Sequence, residues 1–448
     1  MMKNVLVVGG RKSGVYAAIL AQKMGYSVFL TDNSSTDEVL KYIPLLKDAG
    51  IDYEVGKHSF GKFKNFDCAI LSPGVPLNSK IVNVLKEDAV PFIGETEFAF
   101  KSSPEIQVIA ITGSNGKSTT TSLIGHILGL FDPSTVTGGN LGNPFSELLV
   151  KNPKPRFAVL ETSCFQLETI ESYKPKIAVF LNVMENHLDR YPTIDEYISV
   201  KKRIFENQTE GDFAVLNYDD SIVCDFAKSI KSKPLFYSVL DEVPQGAYLD
   251  SNEIIIKFNA SKEILANVDI VKLRGKHNIS NVLAAVVTAH VLNVPNETII
   301  ERIKTFKGLS HRLEEVRTID GVLYVNDSKS TTPESTIKAI ESFEAPIILI
   351  AGGSSKNNDF TELAKRLHTN VKKLILLGKT ARQIGDAAVM ASFYNFIIVD
   401  SLEEAVEAAK QVAEPNDVIL LSPACASFDM FNDFEHRGEI FKQIVNKL

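Results

Sequence analysis

The stretch Ile109-Ala110-Ile111-Thr112-Gly113-Ser114-Asn115-Gly116-Lys117-Ser118-Thr119-Thr120 decides the fold class. An apolar run over 106–111 reads as a buried strand. It breaks at a glycine turn and opens into a helical pattern with Leu123, Ile124, Ile127 and Leu128 on its apolar side. Backbone N–H groups of such a turn cradle phosphates, and the helix N-terminus adds a favourable field. In this pattern Lys117 reaches the β- and γ-phosphates of a nucleotide, and the Ser118 hydroxyl sits on or near Mg²⁺. The spacing departs from the usual phosphate loop, because Ile stands at 111, where glycine is expected, and the extra glycine is at 113. The alternative is a plain strand–turn–helix, and Gly-Lys-Ser-Thr at this place argues against it.

Outward from this stretch, short apolar strands alternate with helical patterns, which is the α/β signature. Before it, 5–8, 27–31 and 68–71 read as strands and 15–24 as a helix, and 101–104 (Lys-Ser-Ser-Pro) looks like a linker. After it, strands are expected at 157–160, 177–181 and 213–216, an antiparallel excursion over 246–258, and a long helix over 277–292. A third segment carries five strand candidates, 323–325, 347–350, 374–377, 396–399 and 418–421, in the manner of a second doubly wound sheet. Ser401 and Glu404 have capping-box spacing.

The chain has 448 residues, 44% hydrophobic and 23% charged, which is ample for about three domains and excludes wholesale disorder. Its net charge of −7 argues against a general nucleic-acid binder. No apolar run approaches the ~20 residues of a membrane span. The first residues are broken too early for a secretory segment. The four cysteines show no metal spacing and read as free thiols of a reducing cytoplasm.

Further polar clusters fall at expected strand ends. Glu161 closes the strand 157–160, where a carboxylate suits a nucleotide-bound Mg²⁺ or, alternatively, a helix N-terminus. The loop 182–192 contains His187, which reads equally as functional or structural. Thr193 and Glu196 have capping-box spacing for a helix to about residue 207. On that helix Tyr197, Ile204 and Phe205 form an apolar stripe with Lys201 in its middle. A Lys there is costly unless paired, modified or functional, or it snorkels to water. The first strand leads into Gly9-Gly10-Arg11-Lys12-Ser13-Gly14, a weak anion-binding hint, and Asp32 ends the next strand. In the third segment the loops 326–334, 352–356 and 422–427 share one sheet edge and build a plausible face for an anionic ligand.

Taken in order, these motifs resemble the Mur ligases. TGSNGKSTT at 112–120 is similar to their ATP loop and GGNLG at 138–142 to their GGN loop. ETSCFQLE at 161–168, the loop 182–192, GKHNISN at 275–281 and His311-Arg312 follow in family order. Ser72-Pro73-Gly74, 326–331 and LSPACASFDMFNDFEHRG at 421–438 resemble the member that adds D-glutamate. The resemblance covers essentially the whole chain. It implies a Rossmann-like UDP-sugar domain (1–103), a central P-loop ATPase-type domain (104–309) and a C-terminal Rossmann-like amino-acid domain (310–448). It further implies a cytoplasmic, monomeric, ATP-dependent ligase of peptidoglycan precursor synthesis. Such an enzyme joins D-glutamate to UDP-N-acetylmuramoyl-L-alanine through an acyl phosphate, without nucleic-acid or membrane partners.

Residue by residue, the resemblance implies ATP contacts at Gly113, Ser114, Asn115, Gly116, Lys117, Ser118, Thr119, Asn278, Arg312 and Asp327. It implies two Mg²⁺ ions held by Ser118, Glu161, His187 and a carbamylated Lys201. With Lys117, the last three form the catalytic set. Ser13, Thr31, Asp32, Gly74, Asn140, Ser163 and His187 correspond to the UDP-sugar site, and Lys329, Thr331, Lys356, Ser427 and Phe434 to the D-glutamate pocket. Two departures stand out: Arg11, where the family usually has glycine, and Phe428, where leucine is expected. A dinucleotide-binding redox protein would leave the phosphate loop unexplained. A non-catalytic UDP-sugar regulator would not need Lys117, Glu161, His187 and Lys201 together. The division of loops between segments predicts domain closure over the reacting groups.

Overall fold

The computed structural model describes residues 4–184, 190–259, 261–273, 275–354 and 358–448. Three sheets form, each flanked by helices, and the chain divides into two compact units. The first unit comprises Met1–Lys272 and Lys276–Phe306; the second comprises Leu273–Gly275 and Lys307–Leu448.

The first unit holds two sheets. One is parallel, in the spatial order Asp52–Val55, Ser27–Asp32, Asn4–Val8, Cys68–Leu71, Phe92–Gly94. The other has nine strands. Its parallel part runs Lys233–Ser238, Phe213–Asn217, Ile177–Phe180, Gln107–Thr112, Phe157–Glu161, Val136–Gly139. Gly246–Asp250 joins it in parallel, and Glu253–Phe258 and Ser261–Asn267 complete an antiparallel edge. The central strands are apolar through their middles, as strands covered on both faces must be, and turn polar only at their ends.

One apolar core runs through both sheets of this unit, from Val5 and Leu30 by way of Phe98 and Phe145 to Phe180. A buried carboxylate reinforces it. Glu97, in the helix Glu95–Lys101, accepts backbone N–H bonds from Glu171 (3.0 Å), Ser172 (2.8 Å) and Tyr173 (2.9 Å). Those bonds hold its carboxyl below the ordinary range despite burial, which is the largest single influence and acts the other way. The strand pairing the first sheet's edge therefore leads straight into a helix bonded to the neighbouring layer.

In the second unit the sheet order is Glu314–Ile319, Val322–Asn326, Val418–Leu421, Ile347–Gly352, Val371–Leu377, Phe396–Ile398. All pairs are parallel except the first, which is antiparallel. The five expected strands of this segment are present; Glu314–Ile319 is a sixth that the sequence does not announce. Its residues Glu-Glu-Val-Arg-Thr-Ile lie on an edge, none of them buried, so no apolar run marks it. The strands Asp52–Val55, Phe92–Gly94, Val136–Gly139 and Ser261–Asn267 also lie outside the sequence expectation, being short, glycine-ended or peripheral, as does Lys233–Ser238, which opens on Lys-Pro.

The capping boxes form only in half. Thr193 accepts from the Glu196 N–H, and Ser401 from the Glu404 N–H. The Glu404 carboxylate, however, takes the N–H of Asp400 rather than that of Ser401. The helix after Thr193 covers Ile194–Lys202 and tightens into a 3₁₀ turn, Arg203–Phe205. All four cysteines are free thiols. Among the described residues no helix is long and apolar enough to cross a membrane.

Candidate active site

The strand Gln107–Thr112 delivers the chain to a turn that only glycine can make. Gly113 has φ +143° and Gly116 φ +83°. A Cβ on Gly116 would stand 2.4 Å from the Asn281 side-chain oxygen. The helix Lys117–Phe131 starts there without a side-chain cap, so its first N–H groups face the mouth of the turn. The loop after Ile177–Phe180 braces the turn from the side. Asn182 accepts the Asn115 N–H through its side chain (2.8 Å) and the Ser114 N–H through its carbonyl (3.0 Å). Ser114 bonds in turn to Met184 and approaches the Tyr197 hydroxyl. Thr119 is buried in the first helical turn.

Lys117 folds back over this turn and donates to the carbonyls of Gly113 (3.0 Å) and Ser114 (2.9 Å). Its ammonium thus lies across the cradle. Ser118 donates to one oxygen of Glu161 at 2.6 Å, and the Asn140 amide donates to the other at 2.7 Å. Glu161 is the last residue of Phe157–Glu161 and is 3% exposed. The Asn140 N–H also binds the Glu161 carbonyl. The backbone approach is so close that a Cβ on Gly139 would stand 2.3 Å from that oxygen. The three expected residues Ser118, Glu161 and Asn140 are therefore one hydrogen-bonded group.

Lys201 completes the cluster from above. It is 2% exposed, and its ammonium donates to the Thr112 hydroxyl (3.3 Å) and the Gly113 carbonyl (3.0 Å). No carboxylate pairs with it at salt-bridge distance among the described residues. Burial, assisted by repulsion from Lys117, pulls its pKa down to about 7. The apolar stripe of the sequence thus faces inward, and the snorkelling alternative is excluded.

His187 lies outside the described residues. Asn278 sits in the first turn of Lys276–Val291, buried and bonded to Asn281. At the first sheet, Asp32 accepts the N–H groups of Gly10 (2.6 Å) and Ser34 (2.8 Å). The Thr31 hydroxyl is buried against Glu54 (2.9 Å) and His58 (2.7 Å). A cleft of about 290 Å³ opens beside them, lined by Asn33, His58, Phe60 and Lys80. Ser13 lies in the first turn of Lys12–Lys23, and Gly74 is exposed after the strand Cys68–Leu71. The bulky Arg11 does not fill the turn; it swings out to Glu38. Ser163 spends its side chain on capping Cys164–Leu167 with Gln166.

In the second unit, Asp327 is 1% exposed and accepts from Ser422 (2.7 Å) and the Leu313 N–H (3.1 Å). Burial raises its pKa to about 6 against the pull of these bonds. Arg312 is exposed next to the buried His311. The Lys329 ammonium stands 5.8 Å from the centre of the Phe434 ring, so these two expected pocket residues meet. Ser427 is buried, Thr331 half-buried, and Phe428 projects into solvent. Lys356 lies outside the described residues. Sequence reasoning missed Arg437, which is buried and donates to the Ser328 hydroxyl and carbonyl and to the Cys425 carbonyl. An arginine inside an amphipathic helix pattern carries no signal of its own. Lys12, Tyr197 and Asn281 were likewise not assigned.

A phosphate cradle with a folded-back lysine, a carboxylate on the Ser hydroxyl, and a buried lysine beside both define a nucleotide-using enzyme. Residues 111–289 match the model of the Mur ligase middle domain, and 311–425 that of the Mur ligase glutamate ligase domain. The chain is 42% identical to the UDP-N-acetylmuramoylalanine–D-glutamate ligase of Clostridioides difficile, covering 100% of this chain and 99% of that one. It is 40% identical to the enzyme of the same name from Pelotomaculum thermopropionicum, over 100% and 98%. The UDP-N-acetylmuramate-alanine ligase MurC of Thermotoga maritima shares the fold, with a TM-score of 0.63 at 19% identity over the whole of both chains. MurF of Acinetobacter baumannii has the same TM-score at 16% identity, over 99% of this chain and 94% of that one. The chain belongs to the Mur ligase family. It is a ligase.

Proposed function

We propose that the chain joins D-glutamate to UDP-N-acetylmuramoyl-L-alanine at the expense of ATP. A carboxylate oxygen of the UDP-sugar substrate attacks the γ-phosphorus, and ADP leaves. The amine of D-glutamate then attacks the acyl carbon, the C–O bond to phosphate breaks, and the amine gives up its proton as the amide forms. The protein holds the reactants in line and neutralises charge. The observation that carries this reading is the Ser118–Glu161–Asn140 group beside the phosphate cradle. It joins the nucleotide turn to the GGN loop within one hydrogen-bonded set.

Gly113, Ser114, Asn115, Gly116, Lys117, Ser118 and Thr119 are assigned to the nucleotide, with Asn278, Arg312 and Asp327. Lys117 would leave its two loop carbonyls for phosphate oxygens, which carry charge that the carbonyls lack. Ser13, Thr31, Asp32, Gly74, Asn140, Ser163 and His187 are assigned to the UDP-sugar, and Lys329, Thr331, Lys356, Ser427 and Phe434 to D-glutamate. The domains are assigned as 1–103, 104–309 and 310–448, in a monomeric cytoplasmic enzyme.

The chemistry of the donor set fits Mg²⁺. Ser118 and Glu161 offer hard oxygen donors, and His187 is assigned with them. Lys201 fits once carbamylated: with its pKa near 7, a large fraction of the buried amine is neutral and nucleophilic toward CO₂. The carbamate would replace a buried cation, which has only neutral acceptors, by an anionic ligand. When bound, the metal would neutralise charge on the phosphates. The reaction is tested with UDP-N-acetylmuramoyl-L-alanine labelled by ¹⁸O in its free carboxylate. One labelled oxygen should appear in the released phosphate. Unlabelled phosphate would overturn the acyl-phosphate route.

A further inference from the structure

Lys12 stands at the first position of the helix Lys12–Lys23, where a cation opposes the helix dipole. Its ammonium makes three contacts, all with one distant segment. It donates to the Gly142 carbonyl (3.0 Å) and the Asn143 side-chain oxygen (2.8 Å), and pairs with Glu147 at 2.9 Å. Two of its donors are thus spent on the loop, and its charge faces the Glu147 carboxylate. Arg11, the neighbouring cation, turns away to Glu38 and takes no part.

The segment reached is the loop that carries Asn140. The Gly139 N–H donates to the Asn143 carbonyl at 2.7 Å, which closes residues 139–143 into a tight turn. Gly139 and Gly142 lie at φ +85° and +109°, conformations that glycine adopts at little steric cost. At its near end Asn140 holds Glu161. At its far end Lys12 supplies the polar contacts. A continuous set of bonds therefore links the first glycine turn, through the GGN loop, to Glu161 and Ser118.

Glu147 is 3% exposed in its side chain and pairs with a second cation, Lys151, at 2.7 Å. Removal of Lys12 would leave it paired. The contribution of Lys12 is thus to the place of the loop rather than to the survival of the helix Phe145–Lys151.

We propose that Lys12 is a positioning residue of the UDP-sugar site, fixing the 139–143 loop so that Asn140 meets both Glu161 and the incoming substrate. The inference rests on the function proposed above. It is tested by Lys12→Met, Lys12→Arg, Asn140→Ala and the double variant, in steady-state assays of the full chain. Lys12→Met should raise KM for the UDP-sugar about tenfold and leave KM for ATP and for D-glutamate within about twofold, a partial displacement of the loop costing less than the roughly hundredfold of a full 1 Å misplacement. Lys12→Arg, which keeps charge and donors, should recover most of the loss. In the Asn140→Ala background Lys12→Met should add less than about twofold, because residues acting through one another are not additive. An unchanged KM for the UDP-sugar in Lys12→Met, or multiplicative effects in the double variant, would overturn the inference. If Lys12→Met failed to fold, the KM values of Lys12→Gln, which also lacks the ammonium, and the cycle built on it would decide in the same way. A wild-type chain that ignores the UDP-sugar would instead defeat the underlying function.

Discussion

The Lys201 ammonium lies 3.0 Å from the carbonyl oxygen of Gly113, the residue that opens the phosphate turn. A buried cation thus rests on the backbone of the nucleotide site with only uncharged acceptors to satisfy it. Left as an ammonium it repels Lys117 and weakens the site's stability; modified, it joins the site's acidic side.

Lys201→Ala should lower kcat about a hundredfold or more, the scale of losing an electrostatic group at a reacting centre. Labelled bicarbonate should give a carbamate carbon resonance in the wild-type chain that Lys201→Ala lacks. The pKa of Lys201 is lowered in the folded state, so the neutral amine is favoured by folding. Its contribution to stability is present above the unfolded value near 10.5 and is lost as pH falls toward 7. Activity at low CO₂ should fall over the lower end of this window as the amine protonates. A Lys201→Ala enzyme of full activity would remove the carbamate from the account.

Gly116→Ala should abolish nucleotide binding. The left-handed conformation costs an L-residue about 1–2 kcal/mol. The added carbon would also meet the Asn281 oxygen at 2.4 Å. Calorimetric titration with ATP should show no heat from the variant, while circular dichroism keeps its α/β signal.

Asp327 is buried with its pKa raised to about 6 from 3.8, so the folded state binds the proton more tightly than the unfolded one. Its effect on stability is neutral to favourable in acid and becomes a cost as pH rises from about 4 through 6. Asp327→Asn should therefore be more stable than the parent by about 1–3 kcal/mol at pH 7, and equal to it near pH 4. Thermal melts across this range check the crossover. The same variant should lose activity, since Asp327 is assigned to the nucleotide.

What the sequence made legible was what local chemistry dictates. The glycine turn at 113–116 announces itself because no other residue makes it, and Lys201 because a charge interrupts an apolar stripe. Both lie where those signals place them. The edge strand Glu314–Ile319 was illegible because none of its residues is buried and half are charged. The strand Val136–Gly139 was hidden by its glycines, whose value lies in how closely the Asn143 carbonyl approaches Gly138 and the Glu161 backbone approaches Gly139. Lys12 and Arg437 were missed for a different reason. Each has a partner more than a hundred residues away, Asn143 for Lys12 and Ser328 for Arg437, and no local pattern records such a bond.

The central claim is the identity of the acceptor. With ATP, Mg²⁺ and UDP-N-acetylmuramoyl-L-alanine present, phosphate release should depend on D-glutamate and fail with L-glutamate, L-lysine or no amino acid. The product's mass should equal that of the two substrates less one water. Equal release with L-lysine, or release indifferent to the amino acid, would contradict the assignment of Lys329, Thr331, Ser427 and Phe434 to a D-glutamate pocket.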